Sequence, residues 1–492
     1  MLGMQTNEQF LDRRRIRHLN GNPVRACAFS RLTKDEYINF HGSTVAMILS
    51  TPPAELKFVF ETPDAAILGM LDALDVSKRQ QTERRHPIEV CPWSEARGRV
   101  LAEDELHDHP SPAFDYSAMD GYALHWRSLR AYCDAHPTTE ELVVPVHHDA
   151  WIGCTPPTLC AEQIEAARIV TGAPLPASAD IVLPRELVRE CFGQDSSSAP
   201  THIVIDRSTA TQARRGAHIR RAGENAAKGE VAVPAGTLLT AASVAAVISA
   251  GAPAARVCKR LRVAIITTGD ELVRPGEELG AFQVRNASAP ALSALCIAKP
   301  WIELAEVTHA RDDESDIVQK LTRAHASSDA IILTGGVSMG HRDAVSAAIS
   351  SLGAEIVFHG LPQRPGKPML GAVLRNSLGM RTPVFGLPGN PVATMATALR
   401  IVMPVLEQCA GACSHSIVPR IALAHDDGQR LGLWWYRLVE LDSSGCARFI
   451  DSRGSGDTQS IGRSHGFVEI PPHETTRAAP PLSYAPFYAW PS

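Results

Sequence analysis

Between residues 259 and 410, short apolar runs alternate with segments of helical period. RVAIITTG, IELAEVTH, DAIILTGG, AEIVFHG and TPVFGLPG predict strands. ASAPALSALCIA, ESDIVQKLTRAHA, RDAVSAAISSLG and NPVATMATALRIVMPVLEQCA predict the helices between and after them. The runs are mostly apolar, so the strands are expected to be buried on both faces. That is the pattern of a mainly parallel sheet covered by helices, a three-layer α/β domain, which binds ligands at the carboxyl ends of its strands.

The rest of the chain carries other patterns. Residues 1–61 show no period and hold the cluster Arg13, Arg14, Arg15 and Arg17, an N-terminal extension of unknown role. Residues 62–107 form a helical, linking segment: TPDAAILGMLDALDV is capped by Thr62, and HPIEVCPWSEARGRVLAEDEL predicts a short strand and then a helix. Residues 108–235 are rich in Pro and Gly, with short β-branched runs such as ELVVPVHH and THIVID, and predict a β-rich domain. Residues 236–258 hold an Ala-rich linking helix with Thr240 as cap and Gly251 as stop. Residues 411–492 return to strand-like runs, a small β domain.

Composition narrows the class. A chain of 492 residues accommodates about three or four domains. Its net charge of -5 gives no general attraction to nucleic acid, so no nucleic-acid partner is expected. The 11 Cys include no CxxC pair, which fits reduced thiols of a cytoplasmic protein. Within the longest apolar stretch, 238–257, the segment from the Thr240 cap to the Gly251 stop makes a helix of only about 18 Å against about 30 Å of bilayer hydrocarbon, so no membrane span is expected.

Four loops after predicted strands carry chemistry. TTGDEL holds Asp270 and Glu271. TGGVSMGHRD has the Gly335 and Gly340 spacing of a phosphate loop, but His341 and Arg342 stand where Lys and Ser or Thr would follow, and Asp343 comes next. Gly335 and Gly336 let backbone N–H groups approach an anion, and the helix beginning near Arg342 aims its positive end the same way. RPGKPM offers Arg364 and Lys367 on a loop stiffened by prolines. In LPGNPV, Asn390 is expected to cap a helix with Pro391 at its first position, a second anion site. Cations beside Asp270, Glu271, Asp312 and Asp343 suggest phosphates with a divalent metal, and oxygen ligands suit Mg²⁺. In the β-rich region, MDGYA places Asp120 before a glycine turn, and TGAPLP and RRAGEN follow.

In this order, SAMDGYA, TGAPLP, TGDEL, GGVSMGHRD, PGKP and LPGNPV resemble the molybdopterin molybdotransferase family, that of MoeA and the C-terminal domain of gephyrin. The resemblance runs from about residue 62 to the C-terminus. It implies an elongated homodimer of four-domain protomers: a MogA/MoaB-like α/β domain, a β-rich domain, a small linking domain and a C-terminal β-barrel. It implies the reaction as well, in which adenylylated molybdopterin takes up molybdate and releases AMP with Mg²⁺ assisting.

Carried across by position, the resemblance implies a site between two subunits. Asp120, Glu271, Asp343 and Lys367 are its catalytic residues, and Glu271, Asp312 and Asp343 its metal ligands. Thr171, Gly335, Gly336, Ser338, Arg364, Pro388, Asn390 and Pro391 bind the pterin substrate. Residues near Glu224 belong to the second wall, and Arg437 and Ser455 fall near positions the family uses. Transient contact with molybdoenzymes or other cofactor-synthesis proteins also follows. The sequence departs from the family where Asn225 replaces a carboxylate in RRAGEN, at NAS (286–288), and in residues 1 to about 60. Asn keeps an oxygen but loses the charge. The alternative function is therefore a catalytically weak carrier or scaffold that binds molybdopterin.

Overall fold

The computed structural model describes residues 38–40, 43–45, 58–76, 87–193, 199–338, 344–377, 379–413, 417–473 and 482–491. It divides into two units, residues 1–57 and 58–492. In the first, Ile38–Phe40 and Ser43–Val45 pair as an antiparallel hairpin.

The second unit is built around a six-stranded sheet. Its strands, in spatial order, are Ile302–Ala310, Leu261–Thr268, Ala330–Thr334, Arg381–Leu387, Leu370–Arg375 and Glu355–His359. The first four run parallel, and Leu370–Arg375 runs against both neighbours. Side chains alternate between faces. Ile265, Ile332 and Phe385 enter one buried cluster, while Ala264, Ile266, Ile331 and Leu333 enter the other. The first cluster is roofed by Pro63–Ala73, Ser288–Ile297 and the helix 391–409, and the second by Glu314–Ser327 and Ala344–Ser351.

Helix 391–409 is, among the described residues, the one long and apolar enough to cross a membrane, and most of it is buried in this core. It widens into a π-turn over Ala398–Val402. Pro404 cannot donate to the carbonyl four residues back, and its ring crowds that carbonyl, so the helix opens there.

The segment 62–107 is shared between two bodies. Thr62 Oγ1 accepts from the Ala65 N–H at 3.0 Å and starts the helix Pro63–Ala73, which packs on the α/β sheet. The strand Ile88–Cys91 instead pairs with Ala255–Cys258 beside the helix Ala241–Ala250. That helix has the expected limits, a capping box from Thr240 and Gly251 at φ +111°. The helix expected after the strand Ile88–Cys91 is a single turn, Trp93–Ala96. Gly98 takes φ +77°, and Arg99 turns inward to Glu89 and the Cys258 carbonyl.

The β-rich region forms a six-stranded mixed sheet, with the helices Trp126–Ala135 and Arg207–Gln212 beside it. The C-terminal strands Arg420–Ala422, Trp434–Leu441, Ala447–Phe449, Gly466–Ile470 and Tyr484–Ala489 form one sheet. Its outermost strand is borrowed: Gln363–Arg364, from the α/β region, pairs in parallel with Trp434 and Trp435.

Candidate functional site

Register brings the four loops to one edge. Thr268 lies opposite Ala310, and Thr334 lies opposite Thr267 on one side and Leu387 on the other. The segments after Thr268, Ala310, Thr334 and Leu387 therefore leave the sheet together. Leu370 runs the other way and pairs with Gly386, so the RPGKPM loop enters at the same edge.

The floor of the edge is laced across three strands. Thr268 Oγ1 donates to the Thr334 carbonyl at 3.2 Å, and the Gly335 N–H donates to the Leu387 carbonyl at 3.1 Å. Gly335 and Gly336 take φ +89° and +58°. A Cβ at Gly335 would lie 2.6 Å from the Thr268 carbonyl oxygen, so only glycine fits. Ser338 follows, exposed.

Carboxylates gather on the two neighbouring strands. Asp270 and Asp312 are exposed and accept reciprocally, each from the other's backbone N–H, at 3.3 and 3.4 Å. Glu271 is exposed beside them in sequence. Among the described residues no three His, Cys, Asp or Glu side chains converge on a metal position. Asp343, with residues 339–342, lies outside the described residues, as does the start of the helix expected near Arg342. One or two hard carboxylates fit Mg²⁺, which usually completes its shell with water and substrate phosphate and needs no all-protein cage.

The cations come from the third loop. Arg364 and Lys367 are exposed, and neither has a carboxylate partner among the described residues. Lys367 Nζ lies 5.8 Å from the centre of the Phe58 ring. In the fourth loop, Pro388 is tied by its carbonyl, which accepts from Thr394 Oγ1 at 2.5 Å. Asn390 occupies the N-cap position before Pro391, but its side chain does not cap the helix. Its Nδ2 donates instead to Ser455 Oγ at 2.9 Å, and the Val392 N–H donates to the Ser455 carbonyl at 3.2 Å. Ser455 thus takes up part of the helix terminus that sequence alone assigns to an anion.

A second cluster forms in the β-rich domain. Tyr116–Ser117 pairs with Ile219–Arg220, and the Gly172 N–H donates to the Ser117 carbonyl at 2.8 Å. MDGYA, TGAPLP and RRAGEN meet there. Asp120 Oδ1 accepts from the Thr171 N–H at 2.7 Å and from Thr171 Oγ1 at 2.8 Å. These bonds hold the Asp120 carboxyl below its usual range. Arg220 pairs with Glu224 and donates to Asn225 Oδ1 at 2.9 Å. Arg221 pairs with Asp115 at 2.5 Å. Asn225 therefore has a local partner for its oxygen. No hydrogen bond or ion pair among the described residues joins this cluster to the α/β edge within the chain.

Arg437 is committed elsewhere. It makes two 2.7 Å bonds to Asp427 and stacks on Phe449 and Trp435. Asn286, in the divergent NAS segment, donates to Thr267 Oγ1 at 2.8 Å and accepts from the Ala289 N–H at 3.1 Å, an anchoring role behind the edge. Thr394 and Gln363 escaped the sequence reading. Each is a polar residue inside a strand, loop or helix whose neighbours gave no signal.

Comparison with known proteins agrees with this geometry. The MoeA N-terminal region (domain I and II) matches residues 65–251, and a probable molybdopterin binding domain matches residues 264–408. A molybdopterin molybdenumtransferase of Synechococcus elongatus is 31% identical over 70% of this chain and 81% of its own length. That of a Nostoc species is 29% identical over 78% and 84%. A crystal structure of the molybdopterin biosynthesis MoeA protein of Pyrococcus horikoshii, 25% identical, superposes with a TM-score of 0.67 and covers 87% of this chain and 100% of its own. With these matches, the chain belongs to the molybdopterin molybdenumtransferase family.

Proposed function

We propose that this protein inserts molybdate into adenylylated molybdopterin and releases AMP, giving molybdenum cofactor. The observation that carries the reading is the α/β edge, where a glycine floor, two cations without carboxylate partners among the described residues and a group of exposed carboxylates share one sheet end. Gly335, Gly336 and Ser338 would receive the phosphate side of the pterin, between Pro388, Asn390 and Pro391. Arg364 and Lys367 would counter the charge that moves onto AMP as the phosphoanhydride bond breaks. They also suit molybdate, an oxyanion that carboxylates alone would repel. Mg²⁺, held by Glu271 and Asp312 with Asp343, would neutralise the pyrophosphate. Asp120, kept ionised by Thr171, would orient a proton-bearing group of the substrate from the second wall.

The reading extends to a cytoplasmic homodimer, in which the Asp120–Thr171 cluster of one protomer faces the α/β edge of the other. The C-terminal sheet suits the small barrel of this family, since the Ala424 N–H donates to the Ala447 carbonyl at 2.9 Å and ties the chain just after Arg420–Ala422, at one end of the sheet, to Ala447–Phe449 at the other.

The test is reconstitution. Purified protein with adenylylated molybdopterin, Mg²⁺ and molybdate should activate an apo-molybdoenzyme, and Asp343→Ala should abolish this. Failure of the wild-type protein to activate it would overturn the reading, while full activity of the variant would remove Asp343 from the site.

A further inference from the structure

Behind the two cations lies a polar connection to another domain. Gln363 is fully buried, at 0% exposure. Its Nε2 donates to the Gly366 carbonyl at 3.0 Å, inside the RPGKP loop. Its Oε1 accepts from the Tyr436 hydroxyl at 2.7 Å, from the middle of the C-terminal sheet. Tyr436 is itself buried, and burial pushes its phenol well above the ordinary value, so it stays a donor. The loop is held on its other sides too. The Trp434 N–H donates to the Pro362 carbonyl at 2.8 Å, and the Leu361 N–H donates to the Lys367 carbonyl at 2.9 Å. Gly366 takes φ +99°, and a Cβ there would lie 2.2 Å from the Thr397 methyl. The loop is thus wedged between helix 391–409 and the Gln363 amide.

A purely structural pair would be cheaper as two apolar side chains. Met and Phe would fill similar volume and leave no polar group needing a partner. The polar version gives direction, because the amide fixes the Gly366 carbonyl between the residues that carry the two cations. Gln363 and Tyr436 are both buried and neither is presented at the α/β edge, so both act through the loop.

We propose that Gln363 and Tyr436 are positioning residues: through them the C-terminal sheet fixes the 364–367 loop and sets the affinity of Arg364 and Lys367 for the phosphate-bearing substrate. The substrate in this statement rests on the proposed function, whereas the fixing of an anion-binding loop does not.

The experiment compares full-length wild-type protein, Tyr436→Phe and the double variant Gln363→Met/Tyr436→Phe. It reads thermal midpoint, KM and kcat for AMP release, binding of inorganic pyrophosphate as a plain anion probe, and hydrogen exchange at the Leu361 amide. Tyr436→Phe strands the Gln363 oxygen, so the midpoint should fall and KM should rise about tenfold, the size of one buried hydrogen bond, with little change in kcat. The double variant removes the stranded group. Its midpoint should recover, while KM, pyrophosphate affinity and the Leu361 amide should stay impaired. Affinity that recovers along with the midpoint, or that never changes, would overturn the proposal. If the wild type releases no AMP, the transferase reading fails by itself, and pyrophosphate binding with amide exchange still decides whether this pair positions the loop.

Discussion

The two loop clusters differ in how their charges are settled. In the β-rich domain every arginine of the RRAGEN turn has an acid beside it, Glu224 for Arg220 and Asp115 for Arg221. At the α/β edge, Arg364 and Lys367 have no such partner among the described residues. A charge already paired gains little from an incoming anion, whereas an unpaired cation held on a stiff loop gains most of its Coulomb energy from the ligand. The edge is therefore built to bind, and the β-rich cluster is built to hold Asp120 in one ionisation state and one place.

The strongest test of that contrast removes the cations. Lys367→Ala and Arg364→Ala should each slow AMP release about 10²–10³-fold, the range for losing one preorganised charge stabiliser, whereas Arg221→Ala should cost far less. Equal losses at Arg221 and Lys367, measured as kcat/KM, would erase the contrast. Next in size is Gly335→Ala. Its positive φ and its approach to the Thr268 carbonyl should lower both the thermal midpoint and AMP release, the strain being about 1–3 kcal/mol.

Thr171→Val sharpens the other side of the comparison. Asp120 is held below its ordinary value first by the Thr171 N–H and then by the hydroxyl. Stability from its ionised form is present above the ordinary carboxylate range and is lost as pH falls through the lowered value. Removing the hydroxyl raises that value part of the way, so the acid limb of the rate profile should move to higher pH. An unmoved limb would take Asp120 out of the chemistry. The smallest effect is expected at Asn225→Asp. Arg220 already has Glu224, so the added charge should change turnover by no more than about threefold, the scale of an exposed ion pair.

Much of the α/β sheet was legible because its strands are nearly continuous apolar runs. Leu370–Arg375 was not, since it follows a proline-glycine loop and contains Gly371, where a Cβ would meet the Phe358 ring at 2.4 Å. The glycine requirement there is tertiary, and the local pattern only weakens the strand signal. The last strand, Tyr484–Ala489, was hidden in the same way by Pro486. Site loops were legible where glycine, proline and charge act locally, as at Gly335 and Lys367. Asn390 followed the local rule for a cap, but Ser455 competes from 65 residues away and takes its amide. Gln363 and Tyr436 lie 73 residues apart, and no periodicity links a buried amide to a distant phenol.

The measurement closest to the central claim is AMP released from adenylylated molybdopterin in the presence of Mg²⁺, with and without molybdate, by wild-type protein and Lys367→Ala. The account predicts release by the wild type that molybdate stimulates and that Lys367→Ala largely loses. Tight pterin binding with no AMP from the wild-type protein would contradict it and would make the protein a carrier.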